Sequence, residues 1–301
     1  MTLRIGLYVP TWPTRDRSIP RWADMRTLGR DAEALGVDTL WVADEPGFWE
    51  CWTVLTAIAE ATERIGIGSL VVCTRYRSPT FFATMVRALD EVSAGRLVLG
   101  LGSGFGAADK RWTTFGWDPA DHVGRFAEAV EVIARLLREG SLTYEGRFYR
   151  ATEPNIGPVG PRPAGPPIWV AAKRPRTMAV AARWADAVNG ADGLVDRASV
   201  ATLRASVEEA CAVAGRDPAT LHLTGWARIA PSPDGRLGAD RADTISGTPS
   251  AIAERLLEIH DAGLEHLTCF IGDADDEREF PSLTRGALER FARILEALPR
   301  S

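Results

Sequence analysis

Histidine and cysteine are both scarce in this sequence, four of each among 301 residues, and neither is arranged as clusters of them usually are. His122, His222, His260 and His266 show no HxH or HExxH spacing, which leaves a metal-hydrolase reading without ligands. Cys51, Cys73, Cys211 and Cys269 are scattered with no CxxC pair, so they read as free thiols of a reducing compartment. Surplus basic charge is missing as well. With 35 Lys and Arg against 40 Asp and Glu, the net charge of −5 excludes the electrostatic footprint of a nucleic-acid binder. No apolar run approaches the roughly 18 residues of a membrane span, and the first strand, Leu3–Val9, follows no charged leader or cleavage site. The expectation is a cytoplasmic protein with a small-molecule substrate and with neither nucleic acid nor membrane as partner. The serine-hydrolase elbow G-x-S-x-G is absent too, because Gly102-Ser103-Gly104 is too short for it.

What is present is a glycine-rich strand end. Residues Gly95 to Gly106 (GRLVLGLGSGFG) run an apolar strand into a loop with glycine at every second position. Glycine has no Cβ, so backbone N–H groups there can approach a ligand closely. The dinucleotide fingerprint G-x-G-x-x-G does not fit, since it needs a helix opening at its last glycine and an acid about 20 residues on. Here Gly106 leads into AADKRWTTFGWDP, rich in aromatics, before a helix that starts near Ala120. Gly102, Gly104 and Gly106 therefore mark a strand end that faces a ligand.

Short apolar runs alternate with helical patterns along the whole chain. The strands expected are Arg4–Val9, Thr39–Ala43, Ile65–Val72, Leu97–Leu101, Ile168–Ala172, Ala187–Asn189, Leu221–Ile229 and His266–Ile271, each followed by a helix. Thr248-Pro249 supplies an N-cap with proline at N1, and Gly36, Gly140, Gly215 and Gly263 stand where helices should stop. Eight such units satisfy a (β/α)8 TIM barrel with none left over, whereas a doubly wound sheet would leave units unexplained. No linker divides the chain, so residues 1–301 read as one domain. The long interval between the fourth and fifth strands holds SLTYEGRFY (residues 141–149), an inserted hairpin, and residues 231–238 read as an exposed loop.

In a barrel of this kind the chemistry gathers at the C-terminal ends of the strands. Those ends carry Trp12, Phe48, Trp49, Phe105, Trp112 and Trp117. One tryptophan there is more often loop packing than a ligand wall, but six large rings together favour a planar aromatic ligand. Lys173-Arg-Pro-Arg176 follows the fifth strand and opens a helix, which makes either a phosphate seat or a solvated basic turn. Arg75 and Arg77 are a second basic point at the rim or ordinary surface charges. Asp44-Glu45 ends the second strand as an adjacent acid pair, suited to proton donation or to capping the next helix.

Four segments carry a family resemblance: Ala32–Asp44 (AEALGVDTLWVAD), Leu55–Gly68 (LTAIAEATERIGIG), Leu89–Gly104 (LDEVSAGRLVLGLGSG) and Gly247–Ser250 (GTPS). In these the chain resembles the luciferase-like flavin and deazaflavin oxidoreductases, which include coenzyme F420-dependent reductases and FMN-dependent monooxygenases. The resemblance implies a barrel that holds an isoalloxazine or deazaflavin ring at its mouth. Asp44 and Glu45 fall where relatives place Asp-His or Glu-His beside the ring; the histidine is missing here, which leaves Glu45, next to Asp44, as the catalytic substitute. Leu70 and Val71 match a bulge that supports the ring, often with a non-prolyl cis peptide in relatives. Gly102, Gly104 and Phe105 match the loop beside the ring, with Phe105 where some relatives carry a catalytic Glu. Ala172, Lys173 and Arg174, joined by Asn189 and Gly190, match the phosphate-contacting turns. Coenzyme F420 is the expected cofactor, its polyglutamyl tail suiting Arg75, Arg77, Lys173, Arg174 and Arg176, and FMN is the alternative. The implied function is F420-dependent hydride transfer to or from a small organic substrate. The alternatives are an FMN-dependent monooxygenase fed by a partner flavin reductase, and a non-catalytic flavin-binding relative. Homodimerisation is common in the family.

Overall fold

A strand that is apolar on both faces needs a shell on one side and a filled interior on the other, and a closed barrel wrapped in helices provides both. The computed structural model, which describes residues 3–11, 21–106, 108–231, 242–271 and 285–299, has this architecture. Its first half runs β1 (Arg4–Tyr8), α1 (Trp22–Ala34), β2 (Thr39–Val42), α2 (Cys51–Ala61), β3 (Gly66–Ser69), β4 (Val72–Cys73), α3 (Pro79–Val92), β5 (Leu97–Gly102), α4 (Arg111–Thr114) and α5 (His122–Glu139). A hairpin of β6 (Thr143–Glu145) and β7 (Arg150–Thr152) follows, then β8 (Ile168–Ala172), α6 (Pro175–Trp184), β9 (Ala187–Gly193) and α7 (Arg197–Ala214). A 3-10 turn at Pro218–Thr220 leads to β10 (His222–Pro231), β11 (Thr244–Gly247), α8 (Pro249–Asp261), β12 (His266–Ile271) and α9 (Arg285–Ala297). Parallel pairing passes from β1 through β2, β3, β5, β8 and β9 to β10, then through β12 back to β1, closing eight strands into a barrel.

The boundary signals act where the sequence places them. Thr248 Oγ1 accepts the Ala251 amide at the start of α8, and Gly36, Gly140, Gly215 and Gly263 all take positive φ. A hairpin forms after α5 with Thr143 opposite Thr152, its second strand falling just past the expected 141–149. One expected strand is two: the run from Ile65 to Val72 breaks at Leu70 and Val71, whose peptide bond is cis, and Val72–Cys73 rejoins the neighbouring strand as β4. α4 and β11 have four residues each, too few to leave a periodic signal. Trp12 and the segments 232–238 and 272–276 lie outside the described residues.

Alternation along each strand sorts the core into two layers. Leu7, Leu40, Ile67, Leu99, Val170 and Leu267 face the helices and are fully buried, each side chain contributing roughly 1.5–3 kcal/mol. The barrel interior holds Tyr8, Trp41, Trp169 and Phe270 instead. Trp41 and Trp169 lie 4.6 Å apart, and the Trp41 indole N–H donates to His266 Nε2 at 3.1 Å. The Trp41 ring fits because the strands flanking β2 carry no side chain there. A Cβ on Gly6 would stand 2.3 Å from Trp41 Nε1, and one on Gly68 would stand 2.4 Å from Trp41 Cζ3.

The buried hydrogen bond to His266 carries a pH dependence. Burial, with a smaller push from the Arg4 charge, holds the imidazole down to about 3, against 6.5 for a free histidine. Only the unfolded chain takes up this proton below pH 6.5, so stability is full above that pH and falls as the solution is acidified. The expected loss from this residue is about 1.4 kcal/mol per pH unit between 6 and 4. Urea denaturation of wild type and His266→Gln across that range checks it: the variant should lose one proton's worth of slope, and equal slopes would refute the assignment.

Candidate functional site

The C-terminal ends of the strands surround one cavity of about 1190 Å³. Tyr8 of β1 and Phe270 of β12, stacked 4.2 Å apart, form part of its wall together with Leu70 and Val71 of the β3–β4 bulge. Ala171 and Ala191 add small apolar surfaces. Gly102, Gly104 and Gly106 also line it, yet the glycine pattern has another cause than close ligand approach. A Cβ on Gly100 would lie 1.9 Å from the Ser69 carbonyl oxygen, and one on Gly102 would lie 2.4 Å from Val71 Cγ2. β5 therefore gives up side chains so that the bulge can enter its face. Gly104, at φ +81°, would drive a Cβ to 2.7 Å from the Trp112 ring. Gly106 alone among the three faces open space.

The acid pair after β2 divides into two environments. Asp44 is almost wholly buried, and Arg77 holds it bidentately, with Nη1 to Oδ2 at 2.6 Å and Nη2 to Oδ1 at 3.0 Å. Burial pushes the Asp44 carboxyl above its ordinary range, and Arg77 offsets only part of that rise. Arg77 also donates to Glu50, whose carboxylate caps α2 by accepting the Trp52 and Thr53 amides. Arg77 is thus an internal tie between β2 and α2, with its charge matched, and it is no rim cation for an anionic tail. Arg75 donates to the Asp118 carbonyl at 3.3 Å and makes no ion pair among the described residues. Glu45 points the other way, into the cavity, where it meets Arg111.

The opposite end of the cavity is cationic. α6 starts there at Pro175, and its N-cap residue Arg174 makes no side-chain cap. The Lys173, Arg174 and Arg176 side chains surround this start. Lys173 pairs with Asp192 at 2.7 Å and Arg176 with Asp121 at 3.0 Å, while Arg174 has no ion pair among the described residues. The Thr177 hydroxyl accepts the Lys173 and Arg174 amides at 3.3 Å each, and a helix start of this kind beside a spare guanidinium suits a phosphate. His122 and Val123, at the first turn of α5, border the same end. α5 itself is already capped by the Asp121 carboxylate on the Gly124 amide, so the seat belongs to α6.

Three of the expected positions do not reach the cavity surface. Ala172 packs into the shell between strands and helices, and a Cβ on Gly190 would meet Leu203 and Leu194 of that shell. Asn189 is buried, receiving the Thr224 hydroxyl at 3.4 Å. The two-residue period puts their neighbours Ala171 and Ala191 at the cavity instead. Asp44, Glu45, Leu70, Val71, Gly102, Gly104, Phe105, Lys173 and Arg174 all line it. Arg111 and His122 line it too and escaped the sequence reading, because α4 is one turn long and a lone histidine in a helix gives no pattern. Several groups here hold their protons at neutral pH: burial pushes the Tyr8 and Tyr76 hydroxyls far up and the Cys73 thiol to about 11. Among the described residues no group of three or more His, Cys, Asp and Glu is placed to hold a metal ion, and no helix is long and apolar enough to cross a membrane.

The chain is similar to known proteins. The chain is 30% identical over 157 residues to the 5,10-methylenetetrahydromethanopterin reductase of Archaeoglobus fulgidus, covering 52% of this chain and 46% of the relative. It is 32% identical over 172 residues to the F420-dependent glucose-6-phosphate dehydrogenase of Intrasporangium calvum, covering 52% and 49%. The chain thus spans about half the length of the curated relatives it matches. Among solved structures, the coenzyme F420 dependent tetrahydromethanopterin reductase of Methanopyrus kandleri superposes with a TM-score of 0.79 at 17% identity, covering 99% of each chain. That likeness carries the barrel fold. A family profile described as luciferase-like monooxygenase matches residues 3–234, most of the chain, and the protein therefore belongs to the luciferase-like monooxygenase family.

Proposed function

We propose that the chain is a coenzyme F420-dependent oxidoreductase that moves a hydride to or from a small organic substrate, with Glu45 handling the accompanying proton. The observation that carries this reading is the polarity of this cavity: an apolar, aromatic stretch around Leu70, Val71, Tyr8 and Phe270, and a cationic helix start at Arg174. A fused planar ring with a phosphate-bearing side chain matches that division. The volume, about 1190 Å³, exceeds the 300–1,000 Å³ typical of a single-ligand pocket and leaves room for a second molecule. Leu70 and Val71 would support the ring, and the α6 amides with Arg174 would hold the phosphate. Once bound, the deazaflavin supplies the hydride chemistry. The protein contributes binding, orientation and a proton route.

F420 is favoured over FMN because F420 is named for the Intrasporangium relative and for the Methanopyrus structure. FMN, as in a monooxygenase served by a partner reductase, would use the same apolar stretch and the same seat. Titration of the ten tryptophans' fluorescence with each cofactor separates the two: F420 should quench at least tenfold more tightly. Quenching by neither cofactor would reject the reading, and oxygen uptake with supplied reduced FMN would favour the monooxygenase.

The seat gives its own prediction. Arg174→Ala is expected to weaken F420 binding about tenfold, ~1.4 kcal/mol, because a solvent-facing charge-assisted contact is lost. The loss should shrink as salt is raised. A dissociation constant within twofold of wild type would remove Arg174 from the site.

A further inference from the structure

Two aromatic rings on the loops after β4 and β5 line the cavity, and each has one face already covered. Tyr76 is backed by Trp117, whose ring lies 4.1 Å away at an interplanar angle of 20°. Trp117 is held in turn by Phe115, stacked on it at 5.2 Å, and by Trp112, set at 79° to it. Trp112 is buried, and its N–H donates to the Gly106 carbonyl at 3.0 Å. Phe105 is backed by a guanidinium: the Cζ carbon of Arg111 lies 3.0 Å from the ring centre. Asp109 fixes Arg111 in place, accepting from Nε at 2.9 Å and from Nη2 at 2.8 Å. Rings held in this way have little freedom left to lose when a further ring settles on them, which preorganises the wall they form.

The two rings mark one end of the cavity. Glu45 lies within electrostatic reach of the Tyr76 hydroxyl and pairs with Arg111 behind Phe105, so both rings stand near that acid and away from α6. The cations are distributed the other way. Of the Lys and Arg side chains that line the cavity, Lys173, Arg174 and Arg176 gather at the α6 start, while Arg111 is taken up by Asp109 and Glu45. A phosphate carried to this end by a substrate would give up its hydration to meet a carboxylate and an Arg111 already paired twice.

We propose that Tyr76 and Phe105 form an aromatic wall for a flat aromatic substrate without a phosphate group, and that Phe105 is a specificity-determining residue of the site. This rests on the hydride-transfer reading above, which gives the stretch at Leu70 and Val71 to the cofactor and leaves this end for the second molecule. A planar ring can lay its face or edge on either wall ring. A saturated ring of the same carbon skeleton is puckered: it keeps the apolar burial and loses the ring-on-ring contact.

The test compares 2-naphthalenemethanol with its perhydro analogue, a pair that shares one carbon skeleton and one primary hydroxyl. Both are titrated calorimetrically into protein saturated with whichever of F420 and FMN it binds. The naphthyl alcohol should bind about tenfold more tightly, the weight of one or two ring-on-ring contacts. Phe105→Leu and, separately, Tyr76→Leu keep apolar bulk and remove a ring; each should lower that ratio, Phe105→Leu to below about threefold. A general loosening of the loops would weaken both alcohols and leave the ratio as it was. Glucose 6-phosphate should not compete with the naphthyl alcohol. The proposal is overturned if wild type binds the two alcohols equally or binds neither, if the ratio is unchanged in Phe105→Leu, if the naphthyl alcohol displaces the cofactor, or if glucose 6-phosphate competes. Failure of the underlying hydride reading shows separately, as wild type that binds neither F420 nor FMN.

Discussion

Replacing Arg77 with methionine is expected to cost about 3–5 kcal/mol of stability, the loss that follows when one partner of a buried ion pair is removed and the other stays. Asp44 is the stranded group. Its side chain is 7% exposed and that of Arg77 15%, so solvent screens little of their interaction. The drop in Tm should be on the order of 10 °C. Asp44→Asn combined with Arg77→Met should recover most of it, because no buried charge is then left unpaired; Glu50, which also loses Arg77, is half exposed and keeps the Trp52 and Thr53 amides. Denaturant unfolding of the two variants and wild type measures both effects, and a loss under 1 kcal/mol in Arg77→Met would mean the pair behaves as a surface bridge. The loop from Asp44 to Glu50 also carries Glu45 and Phe48, so the single variant should disturb cofactor binding as well as stability.

The second large effect concerns the reaction. Glu45→Gln keeps size and hydrogen-bonding reach but removes the proton-accepting charge, and kcat should fall by roughly 10²–10⁴, the usual weight of a general acid or base. F420 affinity should change by less than about twofold, since the apolar stretch and the α6 seat are untouched. Stopped-flow reduction of F420 by a substrate that wild type turns over separates chemistry from binding. A variant within threefold of wild type would remove Glu45 from the proton route.

The barrel was readable from sequence because its evidence is repeated: apolar runs such as Leu97–Leu101 and His266–Ile271 recur at helix-length spacing, and glycine stops end the helices between them. Long elements average out local exceptions. The site was readable where it follows a strand end, as at Asp44, Glu45, Lys173 and Arg174. It was not readable where the answer depends on which face a residue takes. Ala172 and Gly190 differ from the cavity-lining Ala171 and Ala191 by one position, and a single step flips the side chain. Nor does composition show which cations are spent. Arg77 and Arg174 look alike in the sequence, and only folding shows that the first is bound to Asp44 while the second stands at a helix start with no ion pair among the described residues.

The fit of the Ser69–Val71 bulge into the side-chain-free face of β5 also limits how the pocket can be remodelled. Gly100 and Gly102 leave hollows that protein atoms already fill, so enlarging either residue pushes on the bulge before it narrows the space for a ligand. Selection for a new substrate has more freedom at Phe48 and Phe105, which line the cavity from loops. A library aimed at changing what the protein accepts should vary those two positions and leave the β5 glycines as they are. Diversity in substrate range is then expected to accumulate in the loops, while the wall around the bulge stays fixed.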